Sequence, residues 1–214
     1  MARLNALFDL DGTLTDPGDG FVRCVRHALG TLDCLAHSDL EIRRHVGPPL
    51  QQTLRTLLGG RADKLDAAIA LYRERYAREG YLENQVYPGV PEMLTSLKER
   101  NIALFVATSK PLPFAQQILE HFRLGAFFKG IYGSDLDGTR SDKANLIAHV
   151  VEVEQLDKAA TTMIGDRAED VLGAVRNDVR PVGALWGYGS REELSRAGAK
   201  AFCERPMDLR STLT

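Results

Sequence analysis

From Ile102 to the end of the chain, short apolar runs alternate with stretches of helical period. That alternation calls for a parallel sheet, because parallel strands need crossovers long enough to hold a helix. Helices on both faces also leave a strand apolar throughout, as Ile102–Ala107 is. The predicted strands are Ile102–Ala107, Gly130–Tyr132, Thr161–Ile164 and Pro181–Leu185. Helices are predicted over Pro113–Phe122, Asp142–Val153, Glu169–Asn177, Glu192–Ala197 and Met207–Leu213. A further strand, Leu4–Phe8, stands apart near the start and is separated from the rest by a segment of different character.

That segment opens with Asp16-Pro17-Gly18-Asp19-Gly20, dense in residues that break regular structure. Beyond it Phe21, Val22, Val25, Ala28 and Leu29 recur at helical spacing, and Ser38 can cap a helix running through Val46. Gly47-Pro48-Pro49 interrupts before the period resumes over Leu50–Leu58 and again over Leu65–Tyr76. Tyr87-Pro88-Gly89-Val90-Pro91 then suits a turn and a helix start. The expected organisation is an α/β core of residues 1–15 and 85–214 with a four-helix unit, residues 16–84, inserted after the first strand. A chain of 214 residues is long enough for such a core and insert.

The first strand runs into Asp9-Leu10-Asp11-Gly12-Thr13. If the strand persists to Asp11, both carboxyl groups project to one side at its C-terminal end, where open α/β sheets hold their ligands. Two anions so close raise each other's pKa unless a cation or a shared proton offsets the repulsion, and Mg²⁺ is an economical solution. Gly12 lets the backbone turn sharply, and the Thr13 hydroxyl can hold that turn. Taken alone, the five residues also allow an Asp-Gly turn with incidental acids.

Three more polar clusters follow strands at the same sheet edge. Thr108-Ser109-Lys110 offers a hydroxyl and backbone N–H groups for an anion, or simply a turn with a helix cap. Ser141-Asp142-Lys143 opens a helix, with Ser141 a natural N-cap. A lysine in the first helical turn opposes the helix dipole, so Lys143 invites a separate reason such as neutralising a phosphate or the acids. In Gly165-Asp166-Arg167-Ala168-Glu169-Asp170, Asp166 can reach a hard cation beside Asp9, and Asp170 lies one turn further on.

Composition narrows the partners. Hydrophobic content of 44%, charged content of 26% and a net charge of −2 supply no basic track for nucleic acid or anionic membrane. No apolar run approaches the ~18 residues of a membrane span, and the N-terminus reaches strand and acids too early for a signal peptide. A cytoplasmic protein is expected, a monomer or homodimer. Cys24, Cys34 and Cys203 are scattered and odd in number, which argues against a disulfide framework or a zinc site.

With these residues in order, the chain resembles the haloacid dehalogenase superfamily, in its phosphoglycolate phosphatase-like branch. Phe8-Asp9-Leu10-Asp11-Gly12-Thr13-Leu14, Thr108-Ser109, Lys143 and Gly165-Asp166-Arg167-Ala168-Glu169-Asp170 match its four motifs. Val46-Gly47-Pro48-Pro49-Leu50, Asp137-Gly138-Thr139-Arg140 and Gly187-Tyr188-Gly189-Ser190 resemble members labelled phosphoglycolate phosphatases and others labelled 5′-nucleotidases. The resemblance implies a Rossmann-like core with a helical cap. It also implies a Mg²⁺-dependent phosphatase acting on a small phosphate ester through an aspartyl-phosphate, with a phosphomutase as the alternative. On this resemblance Asp9 is the nucleophile and Asp11 the general acid and base. Mg²⁺ would lie between the Asp9 and Asp166 carboxylates and the Asp11 carbonyl, with Asp170 closing the set. Thr108, Ser109 and Lys143 would bind the phosphoryl group, and the cap loop at Gly47 would close over substrate. A receiver-type signalling domain shares the residue types but carries its phosphoacceptor on the third strand, beside adjacent acids on the first.

Overall fold

Leu7, Phe105, Ala107 and Met163 come from three neighbouring strands and share one face, where Leu146, Ile147, Val150 and Ala174 from two helices cover them. The alternate residues Ala6, Phe8, Leu104, Val106 and Ile164 are as deeply buried. Burial on both faces is what the apolar runs require. The computed structural model describes residues 4–213. Its strands are β1 (Asn5–Phe8), β2 (Thr15–Asp16), β3 (Gln85–Val86), β4 (Ala103–Pro111), β5 (Gly130–Ser134), β6 (Thr161–Gly165), β7 (Arg180–Ala184) and β8 (Ala201–Cys203). The α-helices are α1 (Gly18–Thr31), α2 (Asp39–Arg43), α3 (Leu50–Leu57), α4 (Leu65–Arg75), α5 (Val90–Glu99), α6 (Leu112–His121), α7 (Lys143–Val153), α8 (Ala168–Arg176), α9 (Arg191–Ala197) and α10 (Leu209–Thr212).

Six strands form a sheet in the order β5-β4-β1-β6-β7-β8, and β2 pairs with β3 in a separate two-stranded ribbon. β1 is parallel to both neighbours, with Phe8 level with Val106 of β4 and with Ile164 of β6. The chain builds outward from β1 through β4 to β5, then returns to the other side of β1 for β6, β7 and β8. The order therefore reverses at β1, the kind of switch point at whose strand C-termini open α/β sheets hold their ligands. β4 runs on through Thr108-Ser109-Lys110 to Pro111, with a register shift against β5 between Ala107 and Pro111. The strand β8 had no sequence signal, being three residues long at a sheet edge.

The described residues fall into two compact units, one taking the chain up to Asp16 and from Val86 onward, the other Pro17–Gln85. In the second unit α1 packs on α4, and Phe21 meets Tyr72 edge to face. Ser38 begins α2 with a reciprocal cap: its hydroxyl accepts the Glu41 N–H, and the Glu41 carboxylate accepts the Ser38 N–H. The predicted helix ending at Tyr76 continues as one wide π-turn over Tyr76–Gly80. Gly80 is required there, because a Cβ would lie 2.5 Å from the Cys24 sulfur. Arg75 makes two hydrogen bonds to Glu83, at 2.8 and 3.0 Å, and Arg23 adds a third at 2.7 Å.

The fork from Arg75 holds the Glu83 carboxyl down to about 2, from an ordinary 4.5. A depressed folded-state value makes this contribution present above 4.5 and lost as pH falls from there toward 2. Glu83→Gln should cost ~1–2 kcal/mol of stability at pH 7, since the pair is mostly buried. Urea unfolding at pH 7 and pH 3.5 checks this: the gap between wild type and variant should narrow at the lower pH, and a constant gap would refute it.

Candidate active site

The backbone at the end of β1 decides where its two acids point. Asp9 continues the ladder, donating its N–H to Ile164 O at 3.0 Å. The chain then wraps around one carbonyl: Leu10 O accepts the N–H groups of Thr13, Leu14 and Thr15. Gly12 takes the left-handed φ of +91° that this turn demands. Asp9 and Asp11 are consequently not alternate residues of one strand, since β1 stops at Phe8 and Asp11 belongs to the turn that follows. The Asp11 carboxylate pairs with Lys110.

Asp9, Asp166 and Asp170 do converge. Each offers a carboxylate oxygen, all within 4.8 Å of one another, and all three residues are buried. Two glycines make the approach possible. A Cβ on Gly12 would lie 2.3 Å from Asp166 Oδ2, and one on Gly165 would lie 2.2 Å from Asp170 Oδ2. Asp166 is held by the Thr13 hydroxyl, donating to Oδ1 at 3.0 Å, and by the Tyr188 N–H, donating to Oδ2 at 2.9 Å. Asp170 Oδ2 accepts the Arg167 N–H at 3.1 Å in the first turn of α8.

Lys143 supplies the counter-charge. Its Nζ donates to Asp9 Oδ1 at 2.8 Å and to Ala107 O at 3.0 Å, and pairs with Asp170 Oδ1 at 2.8 Å. Two ionised carboxylates 4.8 Å apart repel by about 3–4 kcal/mol at an effective dielectric of ~20. One ammonium does not neutralise three such groups. Burial, reinforced by Asp170 and Asp9, holds the Asp166 carboxyl well above its ordinary value. Burial also lifts Asp170, to about 6, against the pull of Lys143. For Lys143 burial opposes the charge, but Asp170 and Asp9 together raise it above the usual lysine value. A buried set of oxygen donors short of positive charge suits a small hard dication such as Mg²⁺.

Thr108 is buried, and its hydroxyl oxygen accepts the Lys110 N–H at 3.3 Å. Ser109 donates its hydroxyl to Ser141 O at 2.9 Å, tying β4 to the segment before α7. Asp142, not Ser141, caps α7: its side chain accepts the Asn145 N–H at 2.9 Å, while the Ser141 carbonyl is taken by Ser109. Gly47 lies in the helical unit between α2 and α3, with φ +116°. For Asp11, burial raises the carboxyl above its ordinary value while Lys110 works in the opposite direction. Thr13 and Tyr188 went unassigned as Asp166 ligands in the sequence, since one served a turn and the other donates only a backbone N–H. The Tyr188 side chain pairs with Asp16, and Trp186 Nε1 donates to Thr13 O at 2.9 Å, so one loop braces the whole first turn.

A sequence profile described as haloacid dehalogenase-like hydrolase matches residues 6–184. The chain belongs to that family. It is 43% identical over 209 residues to a 5′-nucleotidase of Pseudomonas aeruginosa, covering 98% of this chain and 95% of the relative. Phosphoglycolate phosphatase 1 of the same bacterium is 28% identical over 95% of this chain and 77% of its own length. Tyrosine-protein kinase PtkA of Mycobacterium tuberculosis is 35% identical over 89% of this chain, which matches 65% of that protein. The crystal structure of a predicted phosphatase from Clostridium acetobutylicum superposes with a TM-score of 0.94 at 38% identity, covering 100% and 99% of the two chains. The protein is a phosphatase of the haloacid dehalogenase-like family, and among its described residues no helix is long and apolar enough to cross a membrane.

Lys143→Met would leave the buried carboxylates of this phosphatase without their ammonium. In chelator at pH 8 it should lower stability by ~3–5 kcal/mol, the cost of breaking a buried ion pair. The loss should shrink at pH 5, where protonated acids no longer need a counter-charge. Urea unfolding at the two pH values decides it; a loss below ~1 kcal/mol at pH 8 would show that Lys143 does not neutralise the cluster.

Proposed function

We propose that the protein is a Mg²⁺-dependent phosphomonoesterase that hydrolyses a small phosphorylated metabolite through an aspartyl-phosphate on Asp9. The observation that carries this reading is the unequal placement of four acids. Asp9, Asp166 and Asp170 share one buried cluster with Lys143, whereas Asp11 is not one of those three converging acids and pairs with Lys110. One set suits charge neutralisation around a nucleophile. The other suits proton transfer.

Lys143 engages Asp9 Oδ1, leaving Oδ2 to attack phosphorus in line. The ester P–O bond breaks, its electron pair stays on the leaving oxygen, and Asp11 donates a proton there. Asp11 then takes a proton from the water that attacks the aspartyl-phosphate, and Asp9 and inorganic phosphate are released. Thr108, the Ser109 backbone and Lys143 bind the phosphoryl oxygens. The Asp9 and Asp166 carboxylates and the Asp11 carbonyl would hold Mg²⁺, with Asp170 completing the set directly or through water. A bound Mg²⁺ would neutralise the carboxylates and the incoming phosphoryl group. Substrate selection is assigned to the inserted helical unit, with Gly47 of its Gly47-Pro48-Pro49 loop as the proposed substrate contact.

A relative named 5′-nucleotidase and another named phosphoglycolate phosphatase support two substrate classes, nucleoside 5′-monophosphates and small phosphorylated acids. A net charge of −2 supports a small soluble ester over a nucleic-acid polymer, and the cytoplasm is the proposed location. A phosphate-release screen over phosphoglycolate, sugar phosphates and nucleoside 5′-monophosphates tests the reading. Chelator should stop turnover and Mg²⁺ restore it, while Ca²⁺ should substitute poorly because its looser coordination misplaces the nucleophile. Transfer of the phosphoryl group to a second sugar would mark a mutase, and transfer from ATP to tyrosine a kinase.

Asp9→Asn keeps the side-chain volume and removes the nucleophile, so phosphate release should fall by at least ~10³-fold with the circular dichroism spectrum unchanged. Wild-type turnover in the folded variant would exclude covalent catalysis through Asp9.

A further inference from the structure

Lys110 takes no part in the attack proposed for Asp9, yet its setting is that of a constructed site. The backbone that carries it is fixed from several sides. Its N–H donates to Thr108 Oγ1, and the preceding carbonyl, Ser109 O, accepts the Ser134 hydroxyl at 2.9 Å. β5 approaches so closely that a Cβ on Gly133 would lie 2.6 Å from Lys110 O. From this anchored, irregular end of β4 the side chain, 9% exposed, reaches Asp11 Oδ2. Asp11 Oδ1 is buried and accepts no hydrogen bond.

We propose that Lys110 is a positioning residue for Asp11, holding Oδ2 so that Oδ1 is the atom that exchanges the proton with the leaving oxygen and then with water. The inference rests on the reading of Asp11 as general acid and base. A carboxyl group can rotate about its Cβ–Cγ bond and present either oxygen. An ammonium on one oxygen removes that freedom and selects the other for transfer. Proton balance is kept: Oδ1–H protonates the oxygen that leaves phosphorus, and Oδ1 recovers a proton from the water that cleaves the aspartyl-phosphate. Lys110 itself neither gains nor loses one.

The competing role is anion binding, since Lys110 follows Thr108 and Ser109 directly. Leaving-group dependence separates the two. An alkyl phosphate must be protonated as it departs, whereas p-nitrophenyl phosphate leaves as a stable phenolate. The quantity to compare is kcat/KM, which excludes the later hydrolysis of the aspartyl-phosphate. For Lys110→Met, kcat/KM should fall ~30-fold or more on 5′-AMP or phosphoglycolate, whichever is turned over faster, but less than ~3-fold on p-nitrophenyl phosphate. Affinity for inorganic phosphate, read by calorimetry, should be unchanged. Lys110→Arg should recover part of the loss, and Lys110→Met should add nothing in an Asp11→Asn background.

Equal losses on both esters, weakened phosphate binding or additive effects would overturn the proposal and make Lys110 an anion ligand. Asp11→Asn alone is the control for the underlying reading. If that variant impairs both esters equally, Asp11 is not the proton donor and the inference falls with it. If Asp11→Asn discriminates between the esters and Lys110→Met does not, only the assignment of Lys110 fails.

Discussion

The buried ammonium of Lys143 is the contact on which the site depends. Without it, Asp9 and Asp170 would face each other inside the protein with no positive charge between them. Its position also resolves a local conflict. A lysine at the first residue of α7 opposes the helix dipole, but here the side chain leaves the helix for two carboxylates and the Ala107 carbonyl. The adjacent Asp142 meets the helix's own need by capping it. The first turn of α7 therefore separates its charges, one residue serving the helix and the next serving the cluster. α7 in turn lies against the sheet through Leu146, Ile147 and Val150, so the apolar core sets where the ammonium arrives.

Sheet order brings the acids together. Asp9 and Asp166 lie 157 positions apart in the sequence, yet because β1 and β6 are adjacent and level at Phe8 and Ile164 they become neighbours. Glycine then permits the last step of approach. Gly12 and Gly165 sit where any side chain would strike Asp166 or Asp170, so the carboxylates occupy space that a Cβ would take. Close backbone packing and charge concentration are thus one feature.

Much of this was legible in the residues. The strand-ending clusters after Phe8, Ala107 and Ile164 were readable because strands buried on both faces are apolar and stop abruptly at polar residues. Ser38 announced its helix through a cap that the structure forms in full. Gly12 signalled a sharp turn, but where it begins was not legible: β1 stops at Phe8, and three N–H groups converge on the Leu10 carbonyl. Tyr188 was hidden for a similar reason: a backbone N–H donor to Asp166 can come from any residue but proline. The π-turn at Tyr76–Gly80 is set by the close approach of Gly80 and Cys24, a tertiary contact that helical periodicity does not report.

Two lysines divide four aspartates into groups with different chemistry. Lys143 lies among acids that outnumber it, so the cluster retains a deficit of positive charge that an added dication would meet. Lys110 pairs with Asp11, which lies outside that cluster. A carboxylate in the first group would stand beside a metal, in the attacking role proposed for Asp9. Asp11 in the second has Oδ2 paired and Oδ1 buried without a hydrogen bond, which suits the proton transfer proposed for it. The proposed nucleophile and the proposed proton donor are both aspartates, two residues apart. Their difference comes from which lysine each one meets.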